Sequence, residues 1–109
     1  MRYLILGSSG QIGNTLCNYY EQRGHSVERF DIFFSQDEDL RIENNPLLRA
    51  RIEKSDFVFF LAFDVGGSRY LGKYEKTFDF VQNNIRIMSN TFEVLNEYKK
   101  SFIFTSSQM

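Results

Sequence analysis

The sequence predicts an α/β fold in which a parallel sheet carries helices on both of its faces, the doubly wound arrangement. Strand-like apolar runs alternate with amphipathic, helix-like segments along the chain, and this alternation is typical of β–α–β units. The run 57–62 is apolar without a break, as expected of a central parallel strand covered on both faces. At 109 residues, the chain has the length of one domain.

The first half of the fold is predicted as a strand, a helix and a second strand. We expect the strands over 2–6 and 27–31 and the helix over 11–23, with Gly24 as the left-handed residue that ends the helix. The apolar residues on one face of this helix are Ile12, Leu16 and Tyr20.

The second half begins with a helix at Pro46, for which Asn44 or Asn45 is the expected cap. A strand, a long helix and a last strand follow over 57–62, 77–98 and 101–105. The apolar residues on one face of the long helix, which we expect to pack on the sheet, are Val81, Ile85, Met88, Phe92 and Leu95.

The connection after the second strand is unusually short. Only seven residues separate Asp31 from Asp39, whereas a parallel crossover normally needs a dozen or more. We therefore expect either a short loop or a vestigial third strand, with one edge of the sheet left exposed.

Three glycines, Gly7, Gly10 and Gly13, lie between the first strand and the first helix. A tight turn there points unpaired backbone N–H groups and the positive end of the helix dipole at one spot, which suits a pyrophosphate. The spacing Gly-x-x-Gly-x-x-Gly differs from the dinucleotide fingerprint Gly-x-Gly-x-x-Gly. Taken alone, it leaves open a glycine-rich turn that binds no ligand.

Asp31 lies 18 residues after Gly13 and ends the second predicted strand. This is near the interval of roughly 20 residues at which a carboxylate meets an adenosine ribose. Such a carboxylate accepts hydrogen bonds from a diol and repels a 2′-phosphate, so it favours NAD over NADP. The alternative is an ordinary surface acid at the end of a strand.

Composition narrows the class of protein. The formal net charge is −1, which argues against nucleic acid or an anionic membrane as the main partner. No stretch approaches the ~20 apolar residues that span a bilayer, and polar residues interrupt the first apolar run too early for a signal peptide. The single cysteine, Cys17, fits a reducing cytoplasm. His25 has no partner at metal-ligand spacing, so we expect no metal.

By their order and spacing, these motifs resemble the N-terminal part of extended short-chain dehydrogenases/reductases, the NAD-dependent epimerases, dehydratases and reductases of nucleotide sugars. The likeness runs over residues 1–109 and implies a Rossmann-type sheet truncated after its fifth strand. The residues that carry it are 7–13, Asp31, Asp39-Leu40, Leu61-Ala62, Asn83-Asn84 and Thr105-Ser106-Ser107. The segments most similar to GDP-fucose synthases and GDP-mannose epimerases are 65–67, 78–84 and 89–90.

The resemblance implies NAD as the cofactor and a nucleoside-diphosphate sugar as the substrate. Asp31 would bind the adenosine ribose, Asp39 and Leu40 would border adenine, and Ser107 would be catalytic through a hydrogen bond to the sugar. The residues implied at the pyrophosphate are Gly7, Ser9, Gly10, Gln11, Ile12 and Gly13. Those implied elsewhere along the cofactor are Leu61, Ala62 and Phe63, under the nicotinamide ribose, and Asn84. Those that would let a sugar nucleotide approach the backbone are Gly66 and Gly67.

Simpler interpretations of the same residues stay open. Asp39 is compatible with a helix cap, Asn83 and Asn84 with a cap or kink of the long helix, and Ser107 with an ordinary hydroxyl at a strand end.

The 109 residues contain no Tyr-x-x-x-Lys pair, which in the family supplies the general acid/base tyrosine and its lysine. We therefore expect a fragment that lacks the substrate domain and is inactive alone. The alternative is a non-catalytic dinucleotide-binding module or assembly piece. The family also uses its long helix in a dimer interface, which implies a homodimer through 77–98.

Overall fold

The protein is described by a computed structural model that covers residues 1–61 and 74–104, with side chains over 1–61 and 82–104. Its strands alternate with helices as expected. The elements are β1 (Arg2–Leu6), α1 (Gln11–Gln22), β2 (Ser26–Phe30), α2 (Pro46–Lys54), β3 (Phe57–Phe60), α3 (Tyr74–Glu97) and β4 (Ser101–Phe104).

All paired strands of the sheet run parallel, in the order β2-β1-β3-β4. Leu6, at the end of β1, lies beside Phe30 of β2 and Phe60 of β3, so the carboxyl ends of these strands share one edge. The chain moves from β1 outward to β2 and then returns to β3 on the other side. In open α/β sheets the crevice at such a switch point is where ligands bind.

Alternate residues of the strands face opposite sides, and each side has its own core. Ile5 and Phe59 pack with Cys17 of α1 on one side. Leu6 and Phe60 belong to the larger cluster on the other side. The helical members of that larger cluster come from α2 and α3: Leu48, Ile52, Ile87, Val94 and Leu95. The sheet is therefore covered on both faces, and the predicted doubly wound α/β fold is confirmed.

Local signals predicted the helix ends well. Gly24 follows α1 with φ +82°, a left-handed conformation that favours glycine. Asn45 caps α2: its side-chain oxygen accepts hydrogen bonds from the backbone N–H groups of Leu47 (3.0 Å) and Leu48 (3.4 Å). Pro46 occupies the first helical position, where no intrahelical acceptor is available for an N–H.

The connection from β2 to α2 is the short loop that was one of the two expectations. Residues 31–45 form turns, and no strand lies between β2 and β3 in this described stretch. β2 is consequently an edge strand. Of the two expectations, the vestigial third strand is wrong.

The packing face of α3 differs from the predicted one. Ile85 is 60% exposed, and the side chain of Val81 lies outside the described residues. The residues of α3 that are buried are Ile87, Thr91, Val94 and Leu95. Counting only apolar residues missed this face because one of its central positions is a threonine. The bounds also differ, since α3 begins at Tyr74.

Candidate functional site

The glycine turn joins β1 to α1 and is bonded to the end of β2. The Gly7 N–H donates to the Phe30 carbonyl at 2.8 Å, and the Gly7 carbonyl accepts from Gly10 N–H at 3.3 Å. Gly7 has φ +90°, which a residue with a side chain rarely adopts. The turn therefore needs glycine at this position and lies at the carboxyl edge of the sheet.

Gly13 lets the first turn of α1 lie directly on this glycine turn. A Cβ at Gly13 would stand 2.3 Å from the Gly7 carbonyl oxygen and 2.9 Å from the Ser8 Cα. At Gly10 the nearest atom, the Gly7 oxygen, is 3.5 Å from such a Cβ, which is ordinary contact. The two glycines thus differ in role, because only Gly13 is required by close packing of backbone on backbone.

The start of α1 offers backbone donors to an anion. Gly10 is the N-cap and supplies no side-chain cap, and the first intrahelical hydrogen bond runs from Asn14 N–H to its carbonyl at 2.8 Å. The N–H groups that precede Asn14 in the helix have no intrahelical acceptor. Gln11 and Ile12, which carry two of them, are exposed. Their amides and the helix dipole favour negative charge here.

Asp31 connects the end of β2 to the glycine turn. Its carboxylate accepts from the Ser9 N–H at 3.0 Å through Oδ2 and from the Phe33 N–H at 2.9 Å through Oδ1. Each carboxylate oxygen can accept more than one hydrogen bond, so capacity remains for a diol. The carboxylate is half-buried and lies directly beside the turn, as a residue spanning pyrophosphate and ribose must.

Asp39 and Leu40 lie in the loop between β2 and α2. The Arg41 guanidinium donates to both Asp39 carboxylate oxygens, with Nη2 to Oδ2 at 2.8 Å, and this holds the pKa of Asp39 below its usual range. Leu40 is 5% exposed and belongs to the larger core cluster. Because Asn45 caps α2, Asp39 is not the cap of that helix.

The remaining predicted site residues divide between described and undescribed parts of the chain. The Leu61 N–H donates to the Leu6 carbonyl at 2.9 Å, which continues the carboxyl end of β3 beside β1. Asn84 is half-buried on α3. Those that lie outside the described residues are Ala62, Phe63, Gly66, Gly67, Ser106 and Ser107. The structure brings together the glycine turn, Asp31 and Leu61, and their binding roles stay predictions.

Sequence reasoning missed three polar side chains that organise this region. Glu38 Oε1 accepts from the Asp31 N–H at 3.2 Å. Asn45 and Asn90 donate to carbonyl groups of the loop. The sequence showed Asn45 as a helix cap, but nothing in the sequence indicated contacts of Asn90 with a loop 50 residues away.

Two searches of the described residues found nothing. Residues 1–61 and 74–104 contain no group of three or more His, Cys, Asp or Glu side chains placed to hold a metal ion. Within the same residues, no helix has both the length and the apolarity needed to cross a membrane.

The fold and the glycine turn together define a class, the doubly wound domains that bind a dinucleotide at the switch point of the sheet. The residues present fit such a ligand, since Gly13 keeps the helix start flush with the turn and the Asp31 carboxylate is bonded to it.

The model of the NAD dependent epimerase/dehydratase family matches residues 3–109, and the chain belongs to that family. No curated protein matches the sequence.

Solved structures share the fold. One is UDP-glucose-4-epimerase from Stenotrophomonas maltophila with bound NAD and formylated UDP-arabinopyranose, at 19% identity and a TM-score of 0.74, with 98% of this chain and 37% of that chain covered. Another is CapF with the inhibitor 3-isopropenyl-tropolone, at 18% identity and a TM-score of 0.48, with 95% of this chain and 30% of that chain covered. The chain thus spans little more than a third of the epimerase it resembles.

Proposed function

We propose that residues 1–109 form the NAD-binding domain of an epimerase, dehydratase or reductase that acts on a nucleoside-diphosphate sugar by hydride transfer at a sugar carbon. The observation that carries the proposal is the Asp31 carboxylate hydrogen-bonded to the glycine turn, 3.0 Å from the Ser9 nitrogen, at the switch point of the sheet. Membership of an NAD dependent family supports the cofactor. The epimerase with bound NAD and a UDP-sugar derivative supports the class of substrate.

In this proposal the protein binds and orients the dinucleotide. The exposed amides of Gln11 and Ile12 donate to the pyrophosphate, with Gly7, Ser9, Gly10 and Gly13 shaping the turn around it. Asp31 accepts hydrogen bonds from the adenosine ribose diol, and its negative charge disfavours a 2′-phosphate. Hydride acceptance from the sugar carbon is the chemistry that NAD supplies when it is bound.

Other residues have proposed roles along the length of the ligand. Asp39 and Leu40 border adenine. Ser107 hydrogen-bonds the reacting sugar hydroxyl or keto oxygen. The residues proposed near the nicotinamide ribose and the remaining cofactor surface are Leu61, Ala62, Phe63 and Asn84.

Binding and turnover are separate questions for these 109 residues. They include no Tyr-x-x-x-Lys pair, so Ser107 has no general acid/base beside it in this sequence. We expect residues 1–109 to bind NAD and not to turn over a sugar nucleotide. A Tyr-x-x-x-Lys pair encoded downstream of Ser107 in the gene would support the enzyme. A reading frame without one would favour a non-catalytic dinucleotide-binding module.

Calorimetry with NAD and NADP tests the proposal. We expect saturable NAD binding, weaker NADP binding, and a loss of at least about tenfold in NAD affinity (roughly 1.4 kcal/mol) in Asp31→Ala. Asp31→Asn keeps the shape and removes the charge, so it should narrow the preference for NAD over NADP. The control is Asp37→Ala, an exposed acid in the same loop. Absence of NAD binding at millimolar concentration contradicts the proposal.

Two broader features are also proposed. Ile85 of α3 is 60% exposed, which supports self-association of the chain through this helix. Sedimentation at two protein concentrations tests it, and a concentration-independent monomer contradicts it. The single cysteine, Cys17, is free and buried, which suits the reducing environment of the cytoplasm.

A further inference from the structure

The loop between β2 and α2 has no helix or strand of its own, yet it contains residues proposed to contact adenine. Its fixed conformation must therefore come from side chains. The carbonyl groups of Asp37, Asp39 and Leu40 each accept a hydrogen bond from an asparagine side chain. These bonds fix the backbone of 37–40.

Asn45 supplies two of these bonds while it caps α2. Its side-chain N–H₂ donates to the Asp37 carbonyl at 2.8 Å and to the Asp39 carbonyl at 3.2 Å. Its oxygen accepts from the first turn of α2. All four hydrogen-bonding positions of the amide are thus in use, and the residue is 4% exposed. Aspartate would retain the cap but could not donate.

Asn90 supplies the third bond from α3. Its Nδ2 donates to the Leu40 carbonyl at 2.9 Å, across a separation of 50 residues. The Leu40 side chain is 5% exposed in the larger core cluster. Leu40 is therefore held at both its carbonyl and its side chain, and the loop is tied to a helix that packs on the sheet.

We propose that Asn45 and Asn90 are positioning residues that hold 37–40 in the geometry that reads the adenine end of the dinucleotide. The inference rests on the proposed function, which places Asp39 and Leu40 beside adenine. The asparagines touch the loop backbone, and their influence on the ligand passes through that backbone. They take the place of the element that normally completes a parallel crossover.

A pair of dinucleotides tests this role. Nicotinamide hypoxanthine dinucleotide differs from NAD in having an oxygen where adenine has its exocyclic amine. A carboxylate at Asp39 accepts a hydrogen bond from that amine only in NAD. We expect the native chain to bind NAD about tenfold more tightly than the analogue, the discrimination typical of one hydrogen bond to a charged group.

Two variants remove the loop contacts by different routes. Asn45→Asp keeps the cap and loses both donors, whereas Asn90→Ala loses the bond to Leu40. Both are expected to lower the ratio of the two dissociation constants towards one. Asn96→Ala, an exposed position on the same helix, should leave the ratio at its native value. Variants that weaken both ligands equally, with the ratio unchanged, overturn the positioning role.

Amide hydrogen exchange separates this inference from the proposed function. Without ligand, exchange at 37–41 should be at least about tenfold faster in Asn45→Asp and Asn90→Ala than in Asn96→Ala. Unchanged exchange contradicts the asparagine contacts whatever the chain binds. If exchange accelerates but the native chain binds no NAD, the proposed function fails, and the positioning role fails with it. If NAD binds with a native ratio of one, only the adenine reading is overturned.

Discussion

Replacing Gly13 by alanine tests the contact on which the candidate cofactor site depends. The new Cβ would lie 2.3 Å from the Gly7 carbonyl oxygen and 2.9 Å from the Ser8 Cα. Both neighbours are backbone atoms, so no side-chain rotation can relieve the overlap. Either the start of α1 moves away from the turn, or the turn moves away from β2, to which Gly7 is hydrogen-bonded.

The expected size of the effect follows from two opposing contributions. Inserting a methyl group into a packed region costs typically about 1–3 kcal/mol and occasionally more, and an overlap with backbone belongs at the upper end. Alanine gains about 1 kcal/mol over glycine inside a helix. We therefore expect Gly13→Ala to lower the free energy of unfolding by about 2 kcal/mol, which corresponds to roughly 10 °C in Tm for a domain of this size.

Urea and thermal unfolding followed by circular dichroism measure the loss. Gly10→Ala is the matched variant, because its Cβ would meet the Gly7 oxygen at 3.5 Å; we expect it to cost no more than about 1 kcal/mol, through the poorer N-cap. NAD affinity should fall in Gly13→Ala by at least about tenfold, since the helix start is displaced from the turn. Equal stability losses in the two variants would refute the close-packing explanation.

Three further predictions concern other buried or charged groups. Thr91 Oγ1 is buried with no hydrogen-bond partner, so Thr91→Val should raise the free energy of unfolding by about 1 kcal/mol; a loss in urea unfolding would contradict this. Arg41 lowers the pKa of Asp39, so the pair stabilises the fold above pH ~4, and this stability is lost as the pH falls through the folded-state pKa. In Arg41→Met an NMR titration should show that pKa returning to its usual range. Burial raises the pKa of the Cys17 thiol, so a thiol reagent at pH 8 should label the folded chain far more slowly than the urea-unfolded chain.

Local sequence signals predicted the elements that position the site. Gly24 marks the end of α1 and Asn45-Pro46 marks the start of α2, because a left-handed residue and a capping side chain act on the neighbouring backbone alone. The unbroken apolar run predicted β3 as a central strand, and it pairs with β1 on one side and β4 on the other. The glycine spacing located the turn but could not show that Gly13, rather than Gly10, is the residue under steric constraint.

The features that sequence reasoning missed depend on contacts between distant segments. The packing face of α3 was misplaced because Thr91 is buried at its centre, and a threonine carries no apolar signal. The bond from Asn90 to the Leu40 carbonyl joins residues 50 apart, and an asparagine on a helix has no pattern that names a distant acceptor. The second role of Asn45 was hidden behind its first, since capping already explained the residue.

A single cause underlies these polar contacts, the short connection after β2. Without a third strand among the described residues, the outward carbonyl groups of β2 need other donors, and Arg51 Nη1 donates to the Arg29 carbonyl at 3.2 Å. The same guanidinium lies 3.4 Å from the Glu28 carboxylate, which places charge along an edge strand and disfavours pairing with another chain. Arg51 thus completes the edge as Asn45 and Asn90 complete the loop. Because long side chains lose more entropy on ordering than an apolar strand contact does, this edge and loop should be the least stable part of the domain until a ligand binds across them.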